Sequence, residues 1–153
     1  MEPPIATASA IINFAERLED DSSGFYQKLA QKFPRNETMF ISFAEESKKN
    51  KVLITRTYRE TITDALEACF CFEDLNLSNY SVNTSLANDA SYPDALRIAV
   101  ELEDKTSRFY LDVAELSKSL LATIPAAFKK VAERRNNRKQ LLKSLLEKAE
   151  TKR

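Results

Sequence analysis

Histidine is absent from the 153 residues, glycine occurs once, tryptophan is missing and only two cysteines are present. Without histidine there is no Ser-His-Asp triad, no HExxH zinc motif, no imidazole general base and no metal site that depends on imidazole. A single glycine, Gly24, leaves no glycine-rich phosphate loop and no dinucleotide-binding turn, and it argues against an all-β chain with many tight turns. No stretch reaches the roughly 18 consecutive apolar residues that span a bilayer. The first residues, Met1-Glu-Pro-Pro-Ile5, carry neither the basic nor the apolar region of a secretory signal, so the expected location is the cytoplasm. Cys69 and Cys71 form a CxC pair that cannot by itself complete a four-ligand zinc site; they read as half-buried thiols at a helix end, with a redox or metal role as the other reading.

What is present is charge in balance and a strong apolar pattern. Lys and Arg number 23, Asp and Glu 23, and hydrophobic residues make up 43%. That composition suits one soluble packed domain spanning residues 1–153. Four segments repeat apolar residues at helical spacing. The first runs from about Ala6 to Lys32 through Ile11, Ala15, Leu18, Phe25 and Leu29, with Ser22 filling a gap, and stops before Pro34. The second follows Asn36, a good cap residue, and carries Phe40, Phe43, Ile54 and Ala65 toward Cys69 or beyond. The third opens at Ser91-Tyr-Pro-Asp94, with the residue types of a capped helix start, and carries Ala95, Ala99, Leu102, Phe109 and Val113. The fourth begins near Thr123-Ile-Pro125 and continues through Phe128, Val131, Leu142 and Leu145. Short links at Pro34 and Pro125 make hairpins of about 6–70 and 92–150. The polar stretch of about 71–91 is long enough to cross the bundle. The expected fold is therefore an all-α four-helix bundle of two antiparallel hairpins joined by one long crossover.

The hairpins also match in sequence. Leu18-Glu-Asp-Asp-Ser-Ser-Gly-Phe-Tyr26 aligns with Leu102-Glu-Asp-Lys-Thr-Ser-Arg-Phe-Tyr110, and Phe40-Ile-Ser-Phe-Ala-Glu45 aligns with Phe128-Lys-Lys-Val-Ala-Glu133. Such a repeat is a duplicated helical hairpin rather than a solenoid. In each copy an alanine precedes a glutamate, a Phe-Tyr pair and an aliphatic-Ala pair: Ala15, Glu19, Phe25-Tyr26, Leu29-Ala30, then Ala99, Glu103, Phe109-Tyr110, Val113-Ala114. With Phe43-Ala-Glu-Glu46, these residues resemble the rubrerythrin-like branch of the ferritin-like superfamily, over about residues 6–146.

That resemblance implies a ferritin-like bundle, a homodimer and a di-iron site built from one Glu on each of two helices and a Glu-x-x-His on each of the others. Glu19 and Glu103 stand at the single-Glu positions, each with a tyrosine seven residues on, Tyr26 and Tyr110. The Glu-x-x-His positions fall on Ser47 and Asn50 and on Arg135 and Arg138, so four expected ligands are replaced. The periodicity points the same way. Arg135 and Arg138 interrupt the apolar stripe of the fourth segment, and Ser47 and Asn50 interrupt that of the second. A buried arginine needs a carboxylate, and Glu19 and Glu103 are the candidates. The other reading is that both arginines snorkel to solvent at a loosely packed end. Tyr26 and Tyr110 read as core aromatics.

Two functions remain in competition. One is a degenerate, metal-free bundle with a buried Glu/Arg network, kept as a structural or interaction module and needing no cofactor. The other is an oxidoreductase or iron-handling protein with iron or manganese held by carboxylates alone, Glu19 and Glu103 with Glu45, Glu46 or Glu133. Residues 129–153 hold ten Lys/Arg and three Asp/Glu, a basic segment that could suggest nucleic acid. Two of the ten lie on the inward stripe and others complement a helix C-terminus, so nucleic acid is not the expected partner.

Overall fold

A computed structural model describes residues 6–61, 71–72, 75–117 and 123–151. It is an all-helical bundle of four long helices: α1 (Ala8–Lys32), α2 (Glu37–Thr61), α3 (Tyr92–Ser117) and α4 (Thr123–Thr151). The starts of α1, α2 and α3 each have a local cause. Ala6–Thr7 (β1) stays extended and pairs antiparallel with Cys71–Phe72 (β2), so α1 begins two residues later than the apolar pattern suggests. Thr7 is the cap, its side chain accepting a hydrogen bond from the Ala10 backbone N–H at 3.0 Å. Asn36 ends a 3-10 turn, Pro34–Asn36, that runs directly into α2, instead of standing outside the helix as an extended cap. At α3 the capping box forms: the Asp94 N–H donates to Ser91 Oγ at 3.2 Å and the Ser91 N–H to the Asp94 carboxylate at 3.3 Å. The expected continuation of the second helix through Ala65 to Cys69 lies outside the described residues, as do the side chains of both cysteines.

Side-chain pairs give the relative direction of neighbouring helices. Rising through α1, Glu19 meets Asn50 and Tyr26 meets Phe43 and Phe40, so numbers on α2 fall. Between α3 and α4, Arg97 meets Glu150, Asp104 meets Lys139 and Tyr110 meets Phe128, again in opposite directions. Phe14 packs on Phe109 and Tyr26 bonds Glu103, which sets α1 against α3 in the same sense. Ser47 with Arg138 and Asn50 with Arg134 do so for α2 and α4.

The buried apolar residues form two clusters rather than one. The first collects Ile11, Phe14 and Leu18 of α1, Ile54 of α2, Phe109 and Val113 of α3, and Phe128 and Val131 of α4. The second collects Phe25 and Leu29, then Phe40 and Phe43, then Leu96 and Leu102, then Leu142 from the same helices. On every helix the residues between the two clusters are polar and buried: Glu19 and Ser22, Ser47 and Asn50, Glu103 and Thr106, Arg135 and Arg138. A polar layer therefore crosses the middle of the bundle. Among the described residues, no helix is long and apolar enough to cross a membrane.

Candidate functional site

The polar layer is where the apolar pattern of all four helices breaks together, and all six positions singled out there meet in it. Arg135 is 0% exposed and Arg138 3%, so neither arginine snorkels to solvent. Arg135 lies between two carboxylates. Its Nε donates to Glu19 Oε1 at 3.2 Å, its Nη2 donates to Glu19 Oε2, and its Nη1 donates to Glu103 Oε1 at 2.7 Å. The fork grips Glu19 with two parallel bonds, the geometry that a guanidinium matches best. Nη2 also donates to Ser22 Oγ at 2.8 Å, and that hydroxyl in turn donates a hydrogen bond to the Leu18 carbonyl at 2.6 Å. Ser22 thus has a reason to fill the gap in the apolar line of α1.

Arg138 reaches the other way. Its Nε donates to Glu46 at 2.8 Å and its Nη1 to Ser47 Oγ at 2.9 Å and, more weakly, to Glu103 Oε1 at 3.4 Å. Its Nη2 has no hydrogen-bond partner. The guanidinium carbon is 5.7 Å from the centre of the Tyr26 ring and 5.4 Å from that of Phe43, and these π faces compensate the cation there. Asn50 links the layer to the surface: its amide donates to Glu19 at 3.0 Å and its carbonyl accepts from Arg134 at 2.9 Å.

The repeat is visible in the chemistry, though not perfectly. Tyr26 donates to Glu103 Oε1 at 2.5 Å across the hairpins. Its counterpart Tyr110 is equally buried, but its hydroxyl makes no hydrogen bond, while Glu19 is held by Arg135 and Asn50 instead. Glu103 Oε2 and Thr106 Oγ1, on the same face of α3, are also without partners. Burial raises the pKa of both tyrosines well above the ordinary value, with the Glu103 charge adding at Tyr26 and the Glu19 charge at Tyr110. For Arg135, burial alone would pull the pKa down. Glu103 and Glu19 more than reverse this, and the group ends above its ordinary value.

In this layer Arg135 and Arg138 face Glu19 and Glu103, with Glu46 at its edge, and Arg134 reaches it only through the Asn50 carbonyl. Glu46 is the member that sequence reasoning missed as an ion-pair partner. Its side chain is 37% exposed and it sits beside Ser47 at the edge of the inward stripe, where periodicity reads it as surface. Glu45 is exposed and paired with Lys48, and Glu133 is exposed. Neither joins the layer.

The donor set does not fit a di-iron group. Two carboxylates face the centre, and a guanidinium, which carries no lone pair for a metal, already occupies the space between them. Among the described residues, no group of three or more His, Cys, Asp or Glu side chains is placed to hold a metal ion. Comparison with protein-family models, curated proteins and solved structures returns no match.

Proposed function

We propose that this chain is a ferritin-like bundle of the rubrerythrin type whose di-iron centre has been replaced by an ion-pair network. In this reading it serves as a structural or interaction module rather than as an oxidoreductase. Glu19, Ser47, Asn50, Glu103, Arg135 and Arg138 are the vestigial metal-site positions. One observation carries the reading: Arg135, at a position where the motif calls for a carboxylate, bridges the two glutamates that remain. A cation between two carboxylates is what a metal supplied, and a guanidinium supplies it without redox chemistry. The opposed running of the side-chain pairs supports two antiparallel hairpins joined by a crossover at about 71–91.

The proposal extends to a cytoplasmic homodimer, which sedimentation of the purified chain would test. The main experiment is metal analysis after reconstitution with Fe²⁺ and with Mn²⁺, alongside ferroxidase and peroxidase assays. The expected result is no stoichiometric metal and no turnover. About two irons per chain with an oxo-bridged absorption band would overturn the reading and restore the carboxylate-only metal site.

A further inference from the structure

Away from the polar layer, a cleft of about 340 Å³ opens between α1, α3 and the segment that precedes α3. Its wall on the connector side is anchored. Tyr80 donates its hydroxyl to Asp112 at 2.5 Å and sets its ring edge-on against Phe109 at 5.5 Å, and Lys105 Nζ donates to the Ser81 carbonyl at 3.3 Å. These contacts fix the connector against α3 on that side of the cleft. Apolar side chains line it: the half-buried Leu77 and Val82 from the connector, backed by the buried core residues Phe14 and Leu18 of α1 and Leu102 of α3.

Two charged residues share this lining, Arg17 and Asp21, one helical turn apart on α1. They do not pair with each other, and neither has an ion-pair or hydrogen-bond partner among the described residues. The basic residue precedes the acidic one, the weaker order for an i, i+4 pair on a helix. Their β-carbons at this spacing are about 5–6 Å apart, so a group carrying both charges can sit between them. Both side chains are exposed to water, and a zwitterion is the ligand class that would meet the two charges together. The Thr84 hydroxyl, also on the lining and without a hydrogen bond among the described residues, adds a donor and an acceptor.

We infer that this cleft binds a free α-amino acid with an apolar side chain, its carboxylate on Arg17, its ammonium on Asp21 and its side chain among Phe14, Leu18, Leu77, Val82 and Leu102. The volume is near the lower end of the range of about 300–1,000 Å³ seen for ligand sites, which suits a single amino acid and excludes a dinucleotide. None of these side chains belongs to the Glu/Arg network, so binding and metal content can fail independently.

Calorimetric titration of the purified chain with L-phenylalanine and with L-leucine tests this, with hydrocinnamate and phenethylamine as controls that each keep one charge. At least one amino acid is expected to bind saturably with Kd of about 1 mM or tighter. The single-charge controls are expected to bind about tenfold more weakly or worse. Arg17→Gln and Asp21→Asn, both at exposed positions and checked for helix content by circular dichroism, should each weaken binding by about tenfold. Val82→Trp should block the cleft and abolish it. Three results would overturn the inference: no saturable binding of either amino acid below about 10 mM, equal binding of hydrocinnamate, or unchanged affinity in Arg17→Gln.

Discussion

Replacing Arg135 by methionine is the sharpest perturbation of the polar layer. Methionine keeps most of the side-chain volume, so the cost is electrostatic rather than that of a cavity. Arg135 supplies both bonds from its fork to Glu19, one at 2.7 Å to Glu103 and one at 2.8 Å to Ser22. Once it is gone, Glu103 keeps Tyr26 and Arg138, whereas Glu19 keeps only the Asn50 amide. Glu19 is therefore the group left most nearly unpaired, at 1% exposure. Breaking a buried pair from one side costs about 3–5 kcal/mol, a large part of the 5–15 kcal/mol that holds an ordinary domain together. With a urea dependence of about 1–3 kcal/mol per molar, the unfolding midpoint should fall by about 2 M. Adding Glu19→Leu to Arg135→Met removes the orphaned charge, and the double variant is expected to be more stable than Arg135→Met alone. An unchanged midpoint in Arg135→Met, or a double variant whose cost is the plain sum of the singles, would refute the burial of this pair.

Restoring the motif with Ser47→Glu, Asn50→His, Arg135→Glu and Arg138→His should yield a chain less stable than its parent without metal, because four carboxylates then crowd a dry layer, and stabilised by added Co²⁺. Melting curves with and without Co²⁺ decide this, and a folded variant with no metal-dependent rise would place α4 in another register. Tyr26 and Tyr110 have folded pKa values raised above the unfolded value near 10, so their contribution is complete below about pH 10 and is lost as pH rises through the folded values. Near-ultraviolet titration should therefore show these tyrosines ionising only as the protein unfolds in alkali, and reversible ionisation in the folded protein would contradict their burial. Ser91→Ala removes one half of the capping box of α3 and should cost about 0.5–2 kcal/mol in the same urea assay.

The sequence alone carried most of the architecture, because helix periodicity and capping act over a few residues. The apolar lines through Phe25 and Leu29, Phe40 and Phe43, and Phe128 and Val131 are buried in the bundle, and Ser91 with Asp94 forms the cap that its residue types announce. The break in the pattern at Ser47, Asn50, Arg135 and Arg138 was legible too, since a polar residue on an apolar stripe shows without any knowledge of its partner. Its partners were only partly so. Glu19 and Glu103 emerged from the repeat, but the sequence left open whether the arginines turn inward, because a small rotation of one helix moves a long side chain from core to solvent.

Only the tertiary structure decided how charge is shared. Glu46 becomes the partner of Arg138 through a long-range contact across α2 and α4 that no local spacing encodes. Ser22 becomes an acceptor for Arg135, and Phe43 a π face for Arg138, for the same reason. The start of α1 followed a similar rule. Ala6 and Thr7 fit a helix by composition, yet they pair with Cys71 and Phe72, residues that only folding brings beside them. The cleft bearing Arg17 and Asp21 belongs to this class as well: its two charges are neighbours in sequence, but its apolar lining comes from three segments that meet only in the folded bundle.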